Sequence, residues 1–138
     1  MDDDLNTPPR LQERGPGGEV TKTLRKRAKS FGYAGKGLLA ALRTQHNLWI
    51  HLGLTVIAVV MGFLFKISRS EWCFVIFAIG FVIASELFNT AVEWLVDLVS
   101  PEWNEKAGKI KDVAAGAVLV SAITALVIGL IIFLPKLN

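Results

Sequence analysis

The chain has 138 residues, 52% of them hydrophobic, and a mean hydropathy of +0.46, more apolar surface than one water-soluble domain of this size buries, so a bilayer is its natural solvent. Its formal charge of +3 combines an early crowd of basic residues with acids of which half fall between Glu86 and Asp112, a partition that marks membrane geography and not nucleic-acid binding. The single cysteine, Cys73, excludes an internal disulfide and reads as a small buried apolar residue.

Residues 1–21 are rich in Pro, Gly and charge, hold no apolar core that could open a signal sequence, and read as a disordered cytoplasmic tail. The rest, 22–138, reads as one membrane domain. Over 22–46, Leu24, Ala28, Phe31, Gly35, Leu38 and Leu42 recur at alternating spacings of four and three, with Lys22, Arg25, Lys26, Lys29, Lys36 and Arg43 off that stripe. This pattern predicts an amphipathic helix lying on an anionic membrane surface.

Three apolar runs follow, at about 48–65, 72–99 and 113–134, each long enough to cross a hydrocarbon core at about 1.5 Å per residue. A polar turn, Lys66 to Glu71, separates the first two, and a polar loop opened by Pro101, Ser100 to Ile110, separates the last two. Trp49, Trp72 and Trp103 stand at the ends of the runs, as an interfacial belt requires. The expected fold is therefore all-α: a surface helix and three transmembrane helices. Ten Lys and Arg flank the runs on the side of the surface helix and the Ser100–Ile110 loop, against three on the other, which predicts a cytoplasmic amino terminus.

On the second run Glu86, Asn89, Glu93 and Asp97 are spaced three, four and four apart, confining them to an arc of roughly 80° on one helix face. An ionisable group within a span costs on the order of 3 kcal/mol, so a stripe of them asks for a partner or a reaction. Glu93 and Asp97, one turn apart, suit a divalent cation shared with substrate phosphates. Glu86 lies about 10 Å deeper, at a depth that suits acceptance of a proton from a lipid hydroxyl. Lys111 and Asp112, where the third run begins, suit phosphate oxygens and a metal or nucleotide.

Two alternatives compete with this reading. One is a set of interhelical bonds in which Lys109 or Lys111 answers the acids. The other is a proton or cation pathway in a small transporter or assembly subunit, against which the carboxylates gather towards one interface instead of crossing the midplane. Gly32 to Gly37 (GYAGKG) lacks the spacing, the Ser or Thr and the preceding strand of a phosphate loop, and reads as close helix packing or a kink. His46 and His51, five apart, miss the spacing of a helical zinc pair and read as packing or interfacial hydrogen bonding.

The run Glu86-Leu-Phe-Asn89-Thr90-Ala-Val-Glu93, then Asp97, then Lys111-Asp112-Val-Ala-Ala-Gly116, resembles the signature of the prokaryotic diacylglycerol kinase and undecaprenol kinase family, with likeness extending over about residues 24–137. The resemblance implies a homotrimer of three-span subunits in the bacterial cytoplasmic membrane, with active sites at subunit interfaces, phosphorylating a lipid hydroxyl with ATP and Mg²⁺. It implies Glu86 as general base and Glu93 at the metal, with Asn89 and Asp97 in support and Lys111 and Asp112 at the nucleotide. Glu102, Trp103 and Asn104 match a loop near the nucleotide, and Tyr33 an aromatic of the surface helix. One position departs: Gln45 stands where the family places a second metal-binding glutamate, and no Asp or Glu occurs between Glu19 and Glu71. An amide oxygen there implies weaker Mg²⁺ binding. The loop (SPEWN) and carboxyl end (IGLIIFLPKL) look closer to the undecaprenol kinase branch.

Overall fold

A computed structural model describes residues 16–137, so most of the expected disordered tail lies outside the described residues; from Pro16 the backbone is helical. The elements are α1 (Pro16–Thr44), α2 (His46–Leu64), α3 (Arg69–Val99) and α4 (Glu105–Phe133), closed by a 3₁₀ turn at Leu134–Lys136. The chain forms two compact units, one up to Gly37 and one from Leu38 onward, and each is described by itself.

In the first unit the side chains of Arg25, Lys26, Arg27, Lys29, Phe31 and Tyr33 are exposed, and the Lys36 ammonium lies 5.9 Å from the Tyr33 ring centroid. A Cβ on Gly32, Gly35 or Gly37 would meet nothing within 4 Å. The close packing expected of these glycines is therefore not found among the described residues; they sit within a continuous helix.

The second unit is built on α2, α3 and α4. All three helices are long and apolar enough to cross a membrane, and no more than 28% of any of their most apolar stretches is buried inside the chain. Exposed Phe, Leu, Ile and Val side chains on every helix would be untenable against water but suit lipid. Cys73 is one of these outward residues, exposed where a buried position was expected, because α3 turns only one face to its neighbours.

The chain breaks between α1 and α2 at Gln45, whose backbone is extended (φ −105°, ψ 107°). Its N–H still donates to the Ala41 carbonyl, and the Trp49 indole N–H donates to Leu42 O at 2.8 Å, so carbonyls left open at the end of α1 are satisfied. The turn after α2 is tightened by Lys66 in the left-handed region (φ 49°). Ser68 then caps α3: its Oγ accepts from Glu71 N–H, while the Glu71 carboxylate accepts from Ser68 N–H at 2.6 Å. Lys136, after α4, pairs with the same carboxylate at 3.0 Å. Ile67, Val75, Ile132 and Phe133 form a small buried core at this end, with Trp72 laid across Gly62, where an added Cβ would stand 2.7 Å from the indole ring.

The loop expected through Ile110 is shorter, because α4 starts at Glu105. Asn104 nucleates that start: its Oδ1 accepts from the N–H groups of Lys106 and Ala107 at 2.9 and 3.3 Å. Glu105 supports it through an i, i+4 pair with Lys109 at 2.6 Å. Among the described helices the most extensive packing is of α3 on α4. Small and β-branched residues (Ala78, Val82, Ser121) are buried on these two helices and let the backbones approach, and the Ser121 hydroxyl, itself buried, donates to Val118 O.

Candidate active site

The polar stripe of α3 is graded. Glu86, Asn89 and Thr90 are buried, Glu93 is half-buried and Asp97 is exposed, so the stripe runs from the helix interior outward to the loop before α4. Each level meets a different partner. At the deepest, His51 of α2 sets Nε2 3.0 Å from Glu86 Oε1. One level out, Gln45 donates from Nε2 to Glu93 Oε2 at 3.1 Å, and Asn89 donates from Nδ2 to Glu93 Oε1 at 2.8 Å. At the exposed end Lys111 of α4 pairs with Asp97 at 2.5 Å.

The pairing follows from antiparallel geometry. Gln45 to His51 is six residues along the α1–α2 junction and α2, and Glu93 back to Glu86 is seven along α3. At about 1.5 Å per residue both steps are roughly 9–10 Å, so fixing one pair brings the other to the same depth. His51 was expected only to pack or to hydrogen-bond at the interface. The signal that marks it is its depth: an ionisable side chain inside an apolar run asks for a partner, and Glu86 is the acid at matching rise.

Two buried oxygens stand out. Glu86 Oε1 and Asn89 Oδ1 have no aligned hydrogen-bond donor. For Oε1 this sits beside the 3.0 Å approach of His51 Nε2: the groups are in ion-pair range, but the imidazole N–H is not directed along the bond. A buried acceptor left unpaired costs about 1–3 kcal/mol, an expense typical of a site arranged for a ligand or a reaction.

Lys111 is committed to Asp97, so the interhelical reading of the stripe holds at its outer end. Glu93 and Asp97, expected to converge on one cation, instead face different partners. Lys109 answers Glu105 within α4 and not the stripe. Asp112, Glu102, Trp103 and Asn104 are exposed, and the Asn104 carbonyl oxygen is occupied as the α4 cap. Tyr33 lies in the first unit, exposed.

Among the described residues no cluster of three or more His, Cys, Asp or Glu stands ready to hold a metal. What the site offers is the Glu93 carboxylate, the orphaned Asn89 Oδ1 and, after a half-turn of its amide, the Gln45 oxygen. These are hard oxygen donors. They fit Mg²⁺ of the kind that takes one or two protein oxygens and completes its shell from water and phosphates.

Between α2, α3 and α4 runs an apolar groove lined by residues such as Ala58, Met61, Val82, Leu126 and Phe133, with His51 and Thr55 as its polar members. His51, the partner of Glu86, thus lines a groove of hydrocarbon character.

The family described as prokaryotic diacylglycerol kinase matches residues 32–133. The chain is 42% identical over 109 residues to the undecaprenol kinase of Bacillus subtilis, covering 79% of this chain and 89% of that protein. It is 38% identical over 109 residues to a diacylglycerol kinase of Synechocystis sp., covering 78% of this chain and 62% of that longer protein. It is also 29% identical over 99 residues to the diacylglycerol kinase of Escherichia coli K12, covering 72% and 81%. The matched region spans all three apolar helices and every level of the stripe, and the chain belongs to the prokaryotic diacylglycerol kinase family, a family of lipid kinases.

Proposed function

We propose that this protein transfers the γ-phosphoryl group of ATP to the hydroxyl of a membrane lipid, diacylglycerol or undecaprenol, giving phosphatidate or undecaprenyl phosphate. The observation that carries the reading is the graded stripe: a buried Glu86 whose partner His51 lines an apolar groove, a half-buried Glu93 further out, and at the exposed end Asp97 paired with Lys111 of α4. The higher identity to the protein named undecaprenol kinase favours undecaprenol as acceptor.

The groove takes the lipid's hydrocarbon and brings its hydroxyl towards Glu86. Glu86 accepts the hydroxyl proton as that oxygen forms its bond to the γ-phosphorus and the bond to the departing ADP oxygen breaks. Glu93, with Asn89 and the Gln45 amide oxygen, would hold Mg²⁺, which when bound neutralises charge on the phosphoryl oxygens. Asp97 fixes the Lys111 ammonium where phosphate oxygens arrive, and Lys111 acts as a point charge on them. Asp112, Glu102, Trp103 and Asn104 supply the nucleotide's surroundings. Catalysis on this account is positioning and charge neutralisation with no covalent enzyme intermediate.

We place the protein in the bacterial cytoplasmic membrane with its amino terminus inside, as a homotrimer whose subunits cover part of the apolar surface left bare on one chain. The test is incubation of the purified protein with labelled ATP, Mg²⁺ and each lipid in turn. Label in the organic extract supports the kinase and identifies its acceptor. No transfer to either lipid by correctly inserted protein would overturn it.

A further inference from the structure

Resting on the reading of Glu86 as the base, we propose that His51 is a positioning residue that acts through Glu86, carrying away the proton Glu86 takes from the acceptor hydroxyl. A base used once per turnover must lose its proton before the next. The side chain of Glu86 is only 4% exposed. His51 Nε2 is 3.0 Å from Glu86 Oε1, and the His51 side chain is 18% exposed, so the imidazole is the more accessible member of the pair.

The other polar groups on the face are engaged elsewhere. Asn89 and Gln45 donate to Glu93, and the Thr90 and Thr55 hydroxyls donate to backbone carbonyls of Glu86 and His51 on their own helices. Among the described residues His51 is the titratable side chain in ion-pair range of Glu86.

The steps balance without a co-reactant. The hydroxyl O–H bond breaks as the O–P bond forms, and the proton resides on Glu86. It passes from Oε1 to Nε2 of the neutral imidazole, and the imidazolium then releases a proton to water. Glu86 is again a carboxylate and His51 again neutral.

The experiment uses the full chain in mixed micelles with Mg²⁺, ATP and diacylglycerol or undecaprenol, comparing the wild type with His51→Ala, His51→Gln and Glu86→Gln. His51→Ala is expected to lower turnover by roughly 10- to 100-fold, within the range of proton-transfer contributions, with the KM for ATP little changed. Added imidazole should restore much of that loss. His51→Gln keeps an N–H donor but cannot carry a proton, and should stay low. Full turnover in His51→Gln or in His51→Ala, or no response of His51→Ala to imidazole, would overturn the relay. A readout independent of activity is the nitrogen resonance of His51 in histidine-labelled protein, which Glu86→Gln should shift; an unmoved resonance would mean the pair does not form. The two readings fail separately: near-normal turnover in Glu86→Gln removes the base itself, whereas loss in Glu86→Gln with normal turnover in His51→Ala removes only the relay.

Discussion

Replacing Gln45 by Glu tests the site where this chain departs from its family's pattern. In the same rotamer the new carboxylate would put an oxygen where Nε2 now stands, 3.1 Å from Glu93 Oε2, turning a donated hydrogen bond into a contact of like charges. The lost bond is worth about 1 kcal/mol. Repulsion at that distance is roughly 5 kcal/mol at an effective dielectric constant of 20 and little more than about 1 kcal/mol in bulk water; half-burial of both groups places it between these limits. Without divalent cations Gln45→Glu should therefore be less stable than wild type by a few kcal/mol. Mg²⁺ reverses the sign, since two carboxylates then share a cation, and a ligand at 100 times its Kd returns about 2.7 kcal/mol. Thermal unfolding in detergent, with chelator and across a Mg²⁺ titration, should show Tm falling in chelator and recovering with Mg²⁺, more steeply than for wild type. The Mg²⁺ concentration for half-maximal kinase activity should fall as well. A variant whose Tm ignores Mg²⁺ and whose Mg²⁺ requirement is unchanged would show that residue 45 is not at the metal.

Glu86→Gln should cut turnover by roughly 10²- to 10⁴-fold with little effect on nucleotide affinity, whereas Glu93→Gln should also weaken binding of the Mg²⁺–ATP complex, as seen by titration calorimetry. Equal nucleotide affinity in both variants would contradict the division of roles. Gly62→Ala forces a Cβ to 2.7 Å from the Trp72 ring and should cost about 1–3 kcal/mol in chemical unfolding while leaving the KM for ATP unchanged; an unchanged stability would mean the indole is free to move. In a Cys73→Ala background, a cysteine at Glu102 should be labelled only from the cytoplasmic side and one at Asn138 only from outside. The reverse pattern would remove the site from its supply of ATP.

The helical architecture was legible in the residue order because it depends on local quantities: three apolar runs of spanning length, a basic stripe ahead of them, and polar residues at spacings of three and four that must share one face of α3. The stripe itself was equally legible, since an ionisable residue inside an apolar run is costly wherever it sits. Boundaries depended on single side chains. The loop after α3 ends at Asn104 because its carbonyl oxygen caps α4, a use that competes with the nucleotide role the family resemblance implied.

Only the tertiary structure decided which groups answer the stripe. A helix's own periodicity says which residues share a face, but the register between two helices is set by packing along their whole length. His51 reaches Glu86 because Gln45 already reaches Glu93 on the same antiparallel pair, and Lys111 reaches Asp97 because α4 leaves its cap alongside the end of α3. Those depths are fixed by buried contacts such as Trp72 on Gly62 and Ile132 with Val75 at the far end of the bundle, three or more helical turns from the chemistry they align.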